Sequence, residues 1–221
     1  MNRREFLGIG LTLPIFGATD APKSPAADEV LRDLAAGNAR FGAGHSKHPH
    51  MDLRRLHEVA AAQHPRAVVL TCSDSRVLPE VIFDHGIGDL FVVRVAGNIA
   101  NNDEVASCEY AIEHFDCPVL LVLGHSNCGA VSAVVNGEHV PTDIQRMVTH
   151  IGEAVERVRK EQPQLRGPEF LAACVKANVL ETIEDLKRDC SEIATRVREG
   201  RLALVGAVYN LADGRVTWLK P

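Results

Sequence analysis

Three side chains carry the strongest chemical signal in this sequence. Cys72 closes one apolar run, and His125 and Cys128 stand three residues apart at the end of another. Two thiolates and an imidazole form a borderline-soft donor set that suits tetrahedral zinc. Three firm protein donors leave a fourth position for water, which is the arrangement of a catalytic rather than a structural site. Neither half is decisive alone, because a cysteine after a strand often only packs. Their joint placement, flanked by small or polar residues, is what favours a metal. In the Cys72 loop, Asp74 and Arg76 lie two apart, a carboxylate and a guanidinium that can pair through two parallel hydrogen bonds; a plain surface ion pair is the alternative. A thiol redox centre is the competing use of cysteine, but the chain has no Cys-x-x-Cys. Cys108 and Cys174 fall on apolar helical stripes, Cys117 precedes an apolar run and Cys190 sits near a helix end. They read as packing or free thiols, with a disulfide conceivable only after export.

Donors so far apart in sequence converge only if their strands lie side by side. Residues 67–71, 90–93 and 118–123 are continuous apolar runs of strand length, the pattern of a parallel sheet covered on both faces. Val105, Cys108, Ile112 and Phe115 repeat at helical spacing between the second and third. Strands alternating with helices predict an α/β fold, whose ligand sites lie beyond the carboxyl ends of the strands. Cys72 and His125-x-x-Cys128 then share one rim. Ahead of the sheet, residues 27–42 read as an amphipathic helix carrying Val30, Leu31, Leu34, Ala35 and Phe41. His45, His48 and His50 read as a solvated loop, and residues 51–63 as a helix with Leu53, Leu56 and Ala60 on one face. Ile144, Met147, Ile151, Val155 and Val158 form a stripe after Pro141-Thr142. Pro168 opens another helix with Leu171, Cys174, Val175, Val179 and Ile183, and Gly200 closes a third. Residues 202–208 and 215–219 read as strands joined through Ala212-Asp213-Gly214.

Composition narrows the class of function. The chain has 221 residues, 46% hydrophobic and 24% charged, with net charge −5. That supports one well-packed domain and gives no overall basic field to attract nucleic acid. No apolar run reaches the roughly 18–20 residues needed to cross a bilayer. The N-terminus stands apart: Arg3 and Arg4 precede Phe6-Leu7, an uncharged apolar stretch and the small residues Ala18 and Ala21. This resembles a twin-arginine export signal, so residues 1–25 are expected to be a signal recognised by that export machinery. A mobile tail or short anchor is the other reading. Residues 26–221 form the domain, and the expected location of the mature chain is periplasmic or otherwise exported.

The segments Cys72-Ser73-Asp74-Ser75-Arg76-Val77 and His125-Ser126-Asn127-Cys128-Gly129-Ala130 resemble the two zinc signatures of the β-class carbonic anhydrases. The likeness extends through residues 88–98 and through Gly37-Asn38-Ala39-Arg40-Phe41. It implies a mixed β-sheet with a parallel core flanked by helices, and an N-terminal helical arm that embraces a second subunit in a homodimer or homotetramer. It further implies one zinc per chain on Cys72, His125 and Cys128, and reversible hydration of carbon dioxide to bicarbonate by zinc-bound hydroxide. Asp74 and Arg76 become a catalytic dyad, with Asp74 in some relatives swinging onto the metal. His85 stands where the likeness places a substrate-contacting Gln, and Tyr110 and Gly129 where it places pocket-lining residues; an ordinary loop histidine and a core tyrosine are the alternatives. Other readings are a related zinc hydrolase acting on carbon disulfide or carbonyl sulfide, and a non-catalytic zinc-binding protein.

Overall fold

The computed structural model describes residues 25–219. The 1–24 part of the expected export signal therefore lies outside the described residues. The chain runs α1 (Pro25–Gly42), α2 (Leu53–Val59), β1 (Ala67–Thr71), α3 (Pro79–Ile82), β2 (Leu90–Arg94), a one-turn 3₁₀ segment at Ala96–Asn98, and α4 (Asn102–Phe115). It continues through β3 (Val119–His125), α5 (Gly129–Asn136), α6 (Thr142–Glu161), α7 (Gly167–Asp189), α8 (Ser191–Arg198), β4 (Ala203–Tyr209) and β5 (Val216–Trp218). The strands form one sheet in the order β2-β1-β3-β4-β5. β1 to β4 are mutually parallel and β5 is antiparallel to β4.

The continuous apolar runs have their cause in this layering. Val68, Leu70, Leu120, Val122 and Leu204 face a layer that includes Cys108 and Ile112 of α4, Val179 and Ile183 of α7 and Ile193 of α8. The alternate residues Val69, Leu121, Leu123, Val205 and Ala207 face Leu31 and Leu34 of α1 and Ile82 and Phe83 around α3. A strand covered on both faces has no polar side to offer. α7 is long enough, at 23 residues, to cross the sheet and reach the strand ends, where it packs with α5 and α6 in a third cluster that includes Cys72 and Cys128.

Two readings shift in the structure. The 51–63 helix contracts to α2, none of whose residues is buried; Leu53 is 71% exposed and Leu56 45%. Its apolar face has no cover among the described residues, whereas α1 packs on the chain's own sheet. The α6 stripe is buried only from Val148 on, with Ile144 exposed. The short helices α3 and α5 and the 96–98 turn carry too few residues for a periodic signal.

The Gly37-Asn38-Ala39-Arg40-Phe41 segment serves as a latch. Asn38 Nδ2 donates to the carbonyls of Ile82 (3.2 Å) and Gly214 (2.9 Å), and its Oδ1 accepts from the Val216 N–H (2.8 Å). Arg40 Nε donates to the buried Asp84 carboxylate at 2.6 Å. Beside them α1 lies so close to α3 that a Cβ on Gly37 would stand 1.7 Å from the Phe83 carbonyl oxygen. Gly37→Ala should therefore destabilise the fold by about 1–3 kcal/mol or more, the usual cost of overpacking. Urea unfolding checks this, as a lower midpoint at unchanged slope.

Candidate functional site

The parallel register sets Thr71 beside Leu123, so the residue after β1 meets the last residues of β3. Cys72 follows the first strand, His125 ends the third, and Cys128 is the residue just before α5. Asn127, between the two β3 donors, adopts a left-handed φ of 53°, which turns the chain back toward the sheet. The Ser126 N–H donates to Tyr209 at 2.8 Å, and its Oγ accepts from the Leu211 N–H at 3.0 Å, tying this loop to the end of β4. The Sγ atoms of Cys72 and Cys128 and a ring nitrogen of His125 all lie within 4.8 Å of one another, the one group of this kind among the described residues.

All three side chains are buried. His125 Nδ1 lies 3.0 Å from the Ser126 carbonyl, to which it donates, leaving Nε2 as a bare acceptor. That Nε2 is buried and without a hydrogen-bond partner. A buried polar atom left unpaired is costly, and here it shares a small space with two sulfurs. The donor set and the orphaned nitrogen fit zinc. The Cys72 thiol is drawn down to about 4, chiefly by hydrogen bonding to Cys128, against the effect of burial, and further by His125 and by the backbone N–H groups of Gly97 and Asp74. Cys128 is pushed up by the same contact and by burial. The protein itself thus favours a thiolate, the form that binds metal.

Beside this group the Asp74 carboxylate is gripped by Arg76: Nε donates to Oδ1 at 2.9 Å, a terminal nitrogen to Oδ2 at 2.7 Å, and the Arg76 backbone N–H to Oδ1 at 2.9 Å. Asp74 Oδ2 lies 3.9 Å from His125 Nε2. Of the two expected arrangements the structure has the Arg76-paired one, and Asp74 is not among the three clustered donors. Arg94 reaches across from β2 to the carbonyls of Cys72 (3.2 Å) and Asp74 (2.8 Å), fixing the loop. Gly129, the first residue of α5, has open space where a Cβ would stand.

Two expected pocket residues are placed elsewhere. His85 is buried beside α1, its Nδ1 donating to the Phe83 carbonyl at 2.7 Å and its Nε2 3.3 Å from the Asp33 carboxylate, so within one chain the ring faces α1. Tyr110 is 47% exposed and stacks on His114 near Phe91, at the amino-terminal half of β2 and away from the strand ends. It does not join the cluster within one chain, and it is not a core residue. His45, His48 and His50 gather no ligand group; His50 pairs with Asp89 at 2.7 Å. All six cysteines are free. The sequence reading assigned no role to Arg94, Gly97 or α7. Arg94 and Gly97 lie inside a recognisable segment, but nothing in their spacing indicates what they contact.

Arg76 holds the Asp74 carboxyl well below the usual carboxylate range. A carboxylate whose folded value is depressed contributes stability above its unfolded pKa and loses it as pH falls through the folded value. In Arg76→Ala the carboxyl should titrate nearer the ordinary 3.8, and the stability that wild type gains above that pH should be absent. An NMR titration of the Asp74 side-chain carboxyl in both proteins checks the shift.

The carbonic anhydrase family profile matches residues 67–216. The chain is 40% identical over 195 residues to a carbonic anhydrase of Mycolicibacterium smegmatis, covering 86% of this chain and 91% of that one. It is 39% identical over 186 residues to carbonic anhydrase 2 of Mycobacterium tuberculosis, covering 82% and 87%. The solved structure of the β-carbonic anhydrase CcaA superposes with a TM-score of 0.68 at 29% identity, covering 87% of this chain and 92% of that chain.

Proposed function

The chain belongs to the β-carbonic anhydrase family, whose reaction is the reversible hydration of carbon dioxide, and we propose that it does this with zinc held by Cys72, His125 and Cys128. The observation that carries the reading is the buried, partnerless Nε2 of His125 facing two sulfurs beside an Arg-held carboxylate. The relatives named above favour hydration over hydrolysis of carbon disulfide or carbonyl sulfide. A storage site would need a fourth permanent protein donor, and Arg76 already occupies both Asp74 oxygens.

When bound, zinc supplies the acidity that makes water a nucleophile near pH 7. The chain's own residues do the rest. Asp74, an acceptor that stays ionised, receives a hydrogen bond from the nucleophile and so fixes its lone pairs toward the incoming carbon. Arg76 keeps the carboxylate from turning to the metal. Gly129 leaves room at the start of α5. Elemental analysis and stopped-flow hydration assays test this together. Wild type should hold one zinc per chain, Cys72→Ser should lose zinc and activity, and Asp74→Asn should keep zinc but slow roughly tenfold to a hundredfold. That range follows from a charge-assisted bond of about 1.5–3 kcal/mol acting in the transition state. Purified wild type without zinc or activity would refute the reading.

Two extensions belong to the same proposal. The chain works as a homodimer or higher even oligomer, supported by the uncovered Met51, Leu53 and Leu56 around α2 and by the exposed Tyr110. Leu53→Glu with Leu56→Glu should yield monomers in sedimentation experiments at micromolar concentration. The chain is also exported, supported by Arg3-Arg4 and the apolar stretch behind them. Arg3→Lys with Arg4→Lys should retain it in the cytoplasm, scored by cell fractionation.

A further inference from the structure

The turn at Ala96–Asn98 joins the cluster to a helix from the far end of the sequence. Gly97 donates its N–H to Cys72 Sγ at 3.3 Å. It holds φ at 79°, and Asn98 after it holds φ at 47°, so two successive residues sit in the left-handed region. For a residue other than glycine that conformation costs energy and persists only where the surroundings enforce it. The enforcement comes largely from α7. Asn178 Nδ2 donates to the Gly97 carbonyl at 2.8 Å. Thr182 Oγ1 lies 3.1 Å from the Asn98 carbonyl and 2.9 Å from the Asn178 carbonyl, which share its proton.

Asn178 and Thr182 are 1% and 2% exposed, set among Val175, Val179, Ile183 and Leu186. Polar groups are expensive to bury unless hydrogen-bonded, and asparagine does nothing for a helix interior. Their bonds to the turn account for both. The turn has no slack elsewhere: a Cβ on Gly97 would stand 2.7 Å from Ile151 Cδ1 and 3.2 Å from the Ala130 Cβ. The Asn98 N–H also closes onto the Val95 carbonyl at 3.0 Å.

We propose that Asn178 and Thr182 are positioning residues for Cys72. By holding the carbonyls of Gly97 and Asn98, they aim the Gly97 N–H at Sγ and so set the orientation and donor strength of that sulfur. Partners one step removed from a metal's ligands commonly act this way. The inference rests on Cys72 being a zinc donor.

The test uses full-length protein loaded with zinc or with cobalt(II), whose thiolate-to-metal charge-transfer band reports the sulfur directly. Asn178→Leu and Thr182→Val remove the hydrogen bonds at nearly constant volume, and Thr182→Ser keeps the hydroxyl. A sulfur relieved of its N–H donor is more electron-rich and less fixed. The band should move to longer wavelength in both variants, and zinc affinity against a chelator should fall about tenfold to a hundredfold. Thr182→Ser should match wild type, and Ile193→Val, a core substitution in α8, should leave the band unmoved. If Asn178→Leu does not fold, the Thr182 pair decides. Wild type lacking the band would overturn the zinc reading and this proposal with it. A normal wild-type band that stays unmoved in folded Thr182→Val, or moves equally in Thr182→Ser, would overturn the positioning role alone.

Discussion

The pairing of β1 with β3 is the constraint on which everything else depends. The buried Thr71 hydroxyl donates to the Leu123 carbonyl at 2.7 Å, a side-chain bond added to the backbone ladder at the last paired position. Two strands separated by a helix, a strand and a second helix are held in one register there. A slip of one residue would exchange the faces of β1, putting Val69 toward α4 and moving Cys72 along the rim. The three candidate donors are therefore brought together by apolar packing on two faces of the sheet.

Placing three donors at one rim also stores strain nearby. Asn98 and Asn127 both have positive φ, and both adjoin the cluster. Asn98 Nδ2 is buried without a partner, as is His125 Nε2. For the histidine a bound metal would resolve the deficit. For Asn98 the gain is indirect, because its backbone belongs to the turn that presents the Gly97 N–H to Cys72. Such local costs are tolerated where rigid surroundings over-determine the geometry, and here the surroundings are α7 and the closely packed Ile151 and Ala130.

Much of this was legible in the sequence for definite reasons. Continuous apolar runs revealed a doubly covered parallel sheet, and the topology rule for such sheets brought Cys72 to His125 and Cys128. The pairing of Asp74 with Arg76 was legible because a two-residue spacing within one loop leaves few other geometries. For His85 the sequence left two uses open, because a histidine beside a site has two nitrogens of undeclared use; the Phe83 carbonyl takes one, and Asp33, fifty-two residues earlier, lies beside the other. α2 kept its apolar face but not its burial, since periodicity reports which face is apolar and says nothing of what covers it. Asn178 was hidden in an apolar stripe, and only the fold reveals that its partner is the carbonyl of residue 97.

The six cysteines show how surroundings, rather than residue type, assign chemistry. Burial pushes Cys108 up to about 12 and Cys117 and Cys174 to about 11, from an ordinary 9.0. Burial also raises Cys190, whose Sγ accepts from the Ile193 N–H at the start of α8. Burial favours the thiol form in all four, which act as small apolar fillers. Cys72 is buried too, and desolvation works against its thiolate in the same way. It diverges because Cys128, His125 and the Gly97 N–H all meet one sulfur. Cys72 is thus distinguished by groups from three separate segments that converge on its sulfur, and the rigidity of the fold is what keeps them converged.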